Sequence, residues 1–193
     1  MNRTMLGFCL AAMLLTGCSD DTWQTRDISG LMPPLEFSLT DENGEHVQAL
    51  HYQGKATLLF FGYTSCPDIC PTTLARYAGL LRQLSASEQS DIQVLFVSVD
   101  PKRDTPERLK AYASAFGPQF VGLTGTQDEL RALNKRYRVT YGYGEPDATG
   151  FYEVSHSAAM FGFTADGKPK VMMLASDSDE AVLADIHQLI SGT

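Results

Sequence analysis

Two stretches of almost unbroken apolar character, Ala56-Thr-Leu-Leu-Phe-Phe61 and Ile92-Gln-Val-Leu-Phe-Val-Ser-Val99, constrain most strongly what this chain can fold into. Neither alternates as a strand with one wet face would. Each suits a strand covered on both faces, at the centre of an α/β sheet. Each also leads towards a helix. After the first, residues Thr72 to Leu84 put Leu74, Tyr77, Leu80, Leu81 and Leu84 on one helical face, and Pro71 favours a helix start there. The second run stops at Asp100-Pro101. Thr105-Pro106-Glu107 then opens another helix, with Thr105 as N-cap and Pro106 at the first helical position.

The remaining segments supply the flanks. Leu35-Glu-Phe-Ser-Leu39 and Val47-Gln-Ala-Leu50 alternate around the turn Asp41-Glu-Asn-Gly44 and predict a hairpin with one buried face. Phe120 to Leu123 reads as a short strand, and Thr126 and Glu129 have capping-box spacing ahead of Leu130 and Leu133. Gly142 to Gly150 reads as a flexible loop. Runs around Val154 to Phe163 and Val171 to Leu174, separated by Asp166-Gly167, predict a second hairpin. Ala181 to Ile190 closes the chain as a helix, with Asp177 and Glu180 at its start. Strand, helix, strand, helix, hairpin and helix is the order of a thioredoxin-like α/β domain, here with an added N-terminal β-hairpin.

The first residues read as an address. Arg3 precedes an apolar run from Met5 to Leu15, too short for a membrane span, which takes roughly 20 residues, so residues 1 to 17 read as a secretory signal. Leu15-Thr16-Gly17-Cys18 resembles the lipobox of bacterial lipoproteins. That resemblance implies a lipidated Cys18 as the first residue of a mature, lipid-anchored chain in the bacterial cell envelope, facing the periplasm. Ser19 to Pro34 is polar and aperiodic and reads as a tether, which leaves 35–193 as the domain. The net charge is −8, and loss of the signal removes one positive charge, Arg3, to leave −9. An acidic surface repels phosphate backbones and argues against a nucleic-acid partner.

Cys9 leaves with the signal and Cys18 takes the lipid, so Cys66 and Cys70 are the thiols that remain. They face a compartment where disulfides persist, and so bridge, bind metal or cycle. At a strand-to-helix junction the helix dipole favours thiolate, the reactive form. A purely structural staple is the weaker reading, because so small a ring constrains the unfolded chain little. The three residues between them, against two in thioredoxins, give a looser redox-active dithiol compatible with a disulfide or with two sulfurs on a metal.

A metal would need a third ligand. His46 and His51 belong to the first hairpin region and His187 to the last helix; His156 begins the second hairpin, which borders the cysteine loop in a thioredoxin topology. Two thiolates and one imidazole suit copper. Zinc also accepts these ligands, but a closed structural zinc site normally has four, and only three are found. A thiol-disulfide oxidoreductase that reduces partner cysteines is the alternative. Such enzymes usually carry a proline opposite the dithiol, where this chain has Val154-Ser155-His156-Ser157. A thiol peroxidase fits less well, since Tyr63 stands where a threonine or serine is expected three residues before the reactive cysteine.

Three ordered blocks carry a further resemblance: Phe61-Gly-Tyr-Thr-Ser-Cys66-Pro-Asp-Ile-Cys70-Pro, then Ser98-Val-Asp-Pro-Lys-Arg-Asp-Thr-Pro106, then His156-Ser157. From about Leu35 onward the chain resembles the Sco/SenC family of copper-delivery proteins. The resemblance implies a thioredoxin fold and copper, as Cu(I) or Cu(II), held by Cys66, Cys70 and His156. It also implies a place at the inner membrane and a role in assembling the dinuclear CuA centre of cytochrome c oxidase, so that the partner is the CuA-bearing subunit or another periplasmic copper protein. The family often has an acidic residue before the histidine, whereas this chain has Ser155. Asp68, Asp100, Arg103 and Asp104 are candidates for supporting the site or docking a partner. Met160, four residues past His156, is chemically able to bind copper but reads as core, as do Met172 and Met173.

Overall fold

A computed structural model describes residues 22–192, so the signal segment and Cys18 lie outside the described residues. Strands β4 (Ala56–Gly62) and β5 (Ile92–Ser98) run parallel in the middle of the sheet, and every residue of both is buried, which is what their unbroken apolar runs require. A parallel pair needs a crossover. Helices α1 (Ile69–Leu81) and α2 (Ala86–Ser90) supply it. Helix α3 (Pro106–Ser114) makes the next crossover, from β5 to the parallel β6 (Phe120–Thr124).

Antiparallel strands extend the sheet on both sides. Beyond β4 come β9 (Met160–Phe163), β10 (Pro169–Met173) and finally β1 (Arg26–Asp27). Beyond β6 come β2 (Ser38–Asp41) and β3 (His46–Gln48). Helix α4 (Gln127–Arg136) packs against β2, and α5 (Asp179–Ser191) packs across β9 and β10. The architecture is thioredoxin-like, with the hairpin β2–β3 as the N-terminal addition. Its centre, Leu58 to Phe61 with Val94 to Val97, is wholly excluded from solvent. Each such side chain contributes about 1.5–3 kcal/mol by burial.

Four local expectations need correction. Helix α1 starts at Ile69, three residues before Thr72, so Cys70 lies in its first turn and Pro71 is its third residue. Proline is tolerated there because the first N–H groups of a helix have no intrahelical acceptor. The first hairpin is shorter than its alternation suggested: Ala49–Tyr52 closes into a 3-10 turn instead of extending the strand. The segment 142–150 is not loop throughout, because β7 (Gly142–Tyr143) pairs with β8 (Val154–Ser155) as a separate ribbon. Of the run from 154 to 163 only β9 then pairs with β10, and Val154 and Ser155 stand outside that hairpin.

The polar stretch read as a tether is also partly docked. Asp185, fully buried on α5, accepts hydrogen bonds from Gln24 N, Thr25 N and Thr25 Oγ1 at 2.6–2.8 Å. The backbone of Arg26–Asp27 then joins the sheet edge and Ile28 is buried. This docking relies on backbone groups and one distant carboxylate, so side-chain periodicity gives no sign of it.

Candidate metal centre

Strand β4 delivers the chain to the site and α1 carries it away. Gly62 ends the strand, and a Cβ there would lie 2.5 Å from Cys70 Sγ and 2.8 Å from a Phe96 ring carbon. Only a residue without a side chain lets Cys70 sit this close to the sheet. Cys66 follows on the loop, and the first turn of α1 brings Cys70 back beneath it, with the Cys70 N–H donating to Cys66 Sγ at 3.4 Å. Both thiols are free. Cys66 edges a cleft of about 630 Å³, whereas Cys70 lies wholly behind it.

His156 arrives on the stretch between β8 and β9, the latter the antiparallel neighbour of β4. Its Nε2 stands 3.3 Å from Cys70 Sγ, and the donor atoms of Cys66, Cys70 and His156 all lie within 4.8 Å of one another. The other ring nitrogen, Nδ1, faces the Ser157 carbonyl oxygen at 3.1 Å. A proton on Nδ1 satisfies that carbonyl and leaves the Nε2 lone pair turned to the sulfurs. Edge-on contacts with Tyr63 (5.6 Å between ring centres) and Phe60 (6.2 Å) fix the ring plane.

Burial sets the protonation states. It lowers the His156 pKa, which favours the neutral imidazole, and it pushes the Cys70 thiol well above its ordinary range, so that burial outweighs the helix dipole expected to favour thiolate there. A bound cation would displace the Cys70 proton. Two soft sulfurs and one neutral imidazole fit copper. Among the described residues no other histidine, cysteine or carboxylate joins this cluster, so the fourth ligand of a closed zinc site is missing here.

The other histidines have other partners. His46 Nε2 lies 2.8 Å from Ser38 Oγ, His51 Nδ1 accepts from the Gln48 N–H at 3.0 Å, and His187 Nδ1 pairs with a Glu88 carboxylate oxygen at 2.6 Å. Met160 and Met173 are buried in strands, and Met172 is half-buried on β10. All three are core or its margin.

The four candidates for support or docking divide. Asp68, exposed at the N-terminus of α1 on the cleft wall, accepts from Thr72 Oγ1 at 3.2 Å and remains open to a partner. Asp100 and Asp104 are buried and offer a partner nothing. Asp104 accepts from Thr64 N (2.8 Å), Thr64 Oγ1 (2.6 Å) and Ser98 Oγ (2.6 Å), so it ties the cysteine loop to the end of β5. Asp100 pairs with Arg103 and accepts from the Tyr152 hydroxyl at 2.9 Å. Ser155 does not touch the histidine ring: its hydroxyl donates to the Gly142 carbonyl at 3.3 Å, inside the ribbon. Here the Ser157 carbonyl orients the ring.

Sequence reasoning missed Gly62, Tyr63 and Arg108 as parts of this site. Arg108 donates to Thr64 Oγ1 (2.6 Å) and Ser65 Oγ (3.0 Å), a second brace on the cysteine loop. Gly62 and Tyr63 lie inside the block that carries the family resemblance, and a glycine ending a buried strand is a recognisable sign of close approach. Arg108 leaves no such sign.

Comparison with known proteins agrees with this geometry. A family model described as SCO1/SenC matches residues 33–191. Over 135 residues the chain is 38% identical to the SCO2-like protein of Rickettsia conorii, an overlap of 69% of this chain and 65% of that protein, just under two thirds of the relative's length. Among solved structures, the copper-bound ScoI of Bradyrhizobium japonicum superposes with a TM-score of 0.72 at 36% identity, over 81% of this chain and 98% of that one. The copper-bound ScoI of Arabidopsis thaliana gives a TM-score of 0.76 at 30% identity, over 83% and 99%.

Proposed function

The chain belongs to the SCO1/SenC family, and from that premise we propose that it binds copper through Cys66 Sγ, Cys70 Sγ and His156 Nε2 and passes it to a recipient protein by ligand exchange. The observation that carries this reading is the convergence of the three donor atoms within 4.8 Å at the wall of an open cleft. Thiolates hold Cu(I), and the added imidazole accommodates Cu(II). The copper is cargo. Three protein ligands at an open cleft leave room for a recipient's own ligand to enter before these leave.

The recipient we propose, on the strength of the sequence resemblance, is the CuA-bearing subunit of cytochrome c oxidase or another periplasmic copper protein. A lipid anchor on Cys18 in the inner membrane would hold the donor beside a membrane-embedded recipient. Anaerobic titration tests the binding step. One equivalent of Cu(I) should bind the reduced protein and none after oxidation of the dithiol, and His156→Ala should weaken Cu(II) binding. Unchanged Cu(II) affinity in that variant would remove the imidazole from the site. Labelled palmitate incorporated in the parent and absent in Cys18→Ser tests the anchor.

The placement of the two thiols also favours a second reading. Cys66 reaches the cleft and Cys70 lies behind it, as attacking and resolving thiols do. The Cys66 thiolate would attack a partner disulfide, forming a mixed disulfide and releasing one partner thiol. Cys70 would then break that bond, releasing the second thiol and leaving Cys66–Cys70 oxidised. Cys70→Ser should trap the mixed disulfide on a disulfide-bearing recipient, and its absence would leave copper transfer alone.

A further inference from the structure

The geometry points to Arg103, held by Asp100, as a positioning residue that clasps the β7–β8 ribbon and thereby sets where His156 stands relative to the two thiols. This inference deepens the copper-binding reading and rests on it for its metal consequences. The ribbon has almost no core of its own. Between residues 142 and 155 only Val154 is buried, and each strand is two residues long. So short an antiparallel pair has little independent stability in water. Something else must hold it.

Most of what holds it lies in the turn after β5. The Tyr143 hydroxyl donates to the Val99 carbonyl at 2.6 Å, and the Tyr152 hydroxyl donates to Asp100 Oδ1 at 2.9 Å. The Arg103 guanidinium lies over the Tyr152 ring at 3.7 Å, with Phe151 at 5.5 Å on the ribbon and Tyr63 at 5.3 Å on the cysteine side. Its Nε is committed to Asp100, while its Nη2 is buried without a hydrogen-bond partner, so ring faces enclose the rest of the cation. Away from this turn, Gln127 donates to the Tyr143 hydroxyl at 3.1 Å, and the Val154 backbone meets the Tyr63 hydroxyl.

Arg103 therefore ties the ribbon to the cysteine side of the site. It stacks on Tyr152, four residues before His156, and on Tyr63, whose ring packs edge-on against the His156 imidazole. Asp100 fixes the guanidinium through its Nε, and Asp104 braces the cysteine loop separately. A planar, delocalised cation is needed for this arrangement, since an ammonium group could pair with Asp100 but could not lie flat between rings. Loosening the clasp should free the ribbon and the imidazole while leaving the thiols in place.

Amide hydrogen exchange on the reduced, metal-free protein tests this without copper. In Arg103→Ala, peptides within 142–156 should exchange about tenfold faster, with 56–62 and 70–81 unchanged. Tyr152→Leu, which leaves the Asp100–Arg103 pair intact, should do the same, and Arg103→Lys should recover the ribbon only in part. With copper, Arg103→Ala should weaken Cu(II) binding about tenfold, within the range for residues that orient metal ligands, and should have no further effect in a His156→Ala background. Unchanged ribbon exchange in both Arg103→Ala and Tyr152→Leu would overturn the inference, as would an equal rise across 56–62 and 70–81. Failure of the parent to bind copper would sink the proposed function instead, and the exchange comparison would still judge the clasp.

Discussion

The two halves of the candidate copper site are built to different standards. Cys66 and Cys70 are set by the core: a wholly buried strand, a glycine that admits Cys70, a thirteen-residue helix and the Asp104–Thr64–Ser98 brace. His156 is set by a ribbon with one buried side chain, clipped to a turn. Polar braces and buried apolar contacts make the cysteine half costly to open, whereas the ribbon belongs to the part of a protein that opens at low free energy. For the proposed ligand exchange that division means that the ligand on the less buried element is not one that supports the fold.

Several measurements would test this contrast. The largest effect should come from the rigid half. Structural metal sites with four ligands bind with about 10–16 kcal/mol, so losing one thiolate in Cys70→Ser should cost about 3 kcal/mol, roughly 100-fold in Cu(I) affinity. Competition with a chelator of known affinity reads it, and a smaller loss than that from His156→Ala would invert the comparison.

A comparable change should follow from pH. Burial raises the Cys70 pKa, so the metal-free thiol keeps its proton through neutral pH and copper must displace it. Apparent affinity should then rise about tenfold per pH unit from that proton alone, close to 100-fold between pH 6 and 8. Burial lowers the pKa of His156, which moves its competing proton towards lower pH and away from this window. A flat affinity profile would mean that Cys70 is already ionised.

The brace is next. Asp104→Ala strands the half-buried Thr64 N–H and hydroxyl and the fully buried Ser98 hydroxyl, and should destabilise the fold by about 2–4 kcal/mol. Chemical denaturation reads it. Gly62→Ala should cost about 1–3 kcal/mol through overpacking against Cys70 and Phe96, and should weaken copper binding as well. If the protein accepts that methyl group without loss, the cysteine half is softer than its burial implies.

The smallest effect should be at Ser155. Its hydroxyl serves the ribbon and not the ring, so Ser155→Asp should change stability by less than about 1 kcal/mol. A large change in Cu(II) affinity in that variant would show that the ribbon can turn residue 155 towards the imidazole.

Much of this was legible in the chain. Unbroken apolar runs marked β4 and β5 because a strand buried on both faces leaves no polar positions, and the Thr105 and Thr126 caps marked where α3 and α4 begin. The cysteine pair announced itself by spacing, and the three blocks carrying the family resemblance pointed to all three ligands. What stayed hidden was local structure maintained from a distance. The ribbon β7–β8 has too little burial to leave a periodic signature, and β1 docks through backbone groups onto Asp185. Asp100 and Asp104 read equally as supporting or docking residues, because a sequence shows a carboxylate but not the hydroxyls and guanidinium that close around it.

Residue type and local periodicity therefore suffice to show which atoms could bind a soft metal and which strands had to be central. Only the tertiary structure decided that His156, 86 residues beyond Cys70, arrives 3.3 Å from its sulfur, that Cys66 faces the cleft while Cys70 lies behind it, and that Arg103 joins the two halves. Periodicity reports which face of one element is buried. Distances between elements depend on how the sheet is ordered and how the ribbon folds back across it, and no local pattern records them.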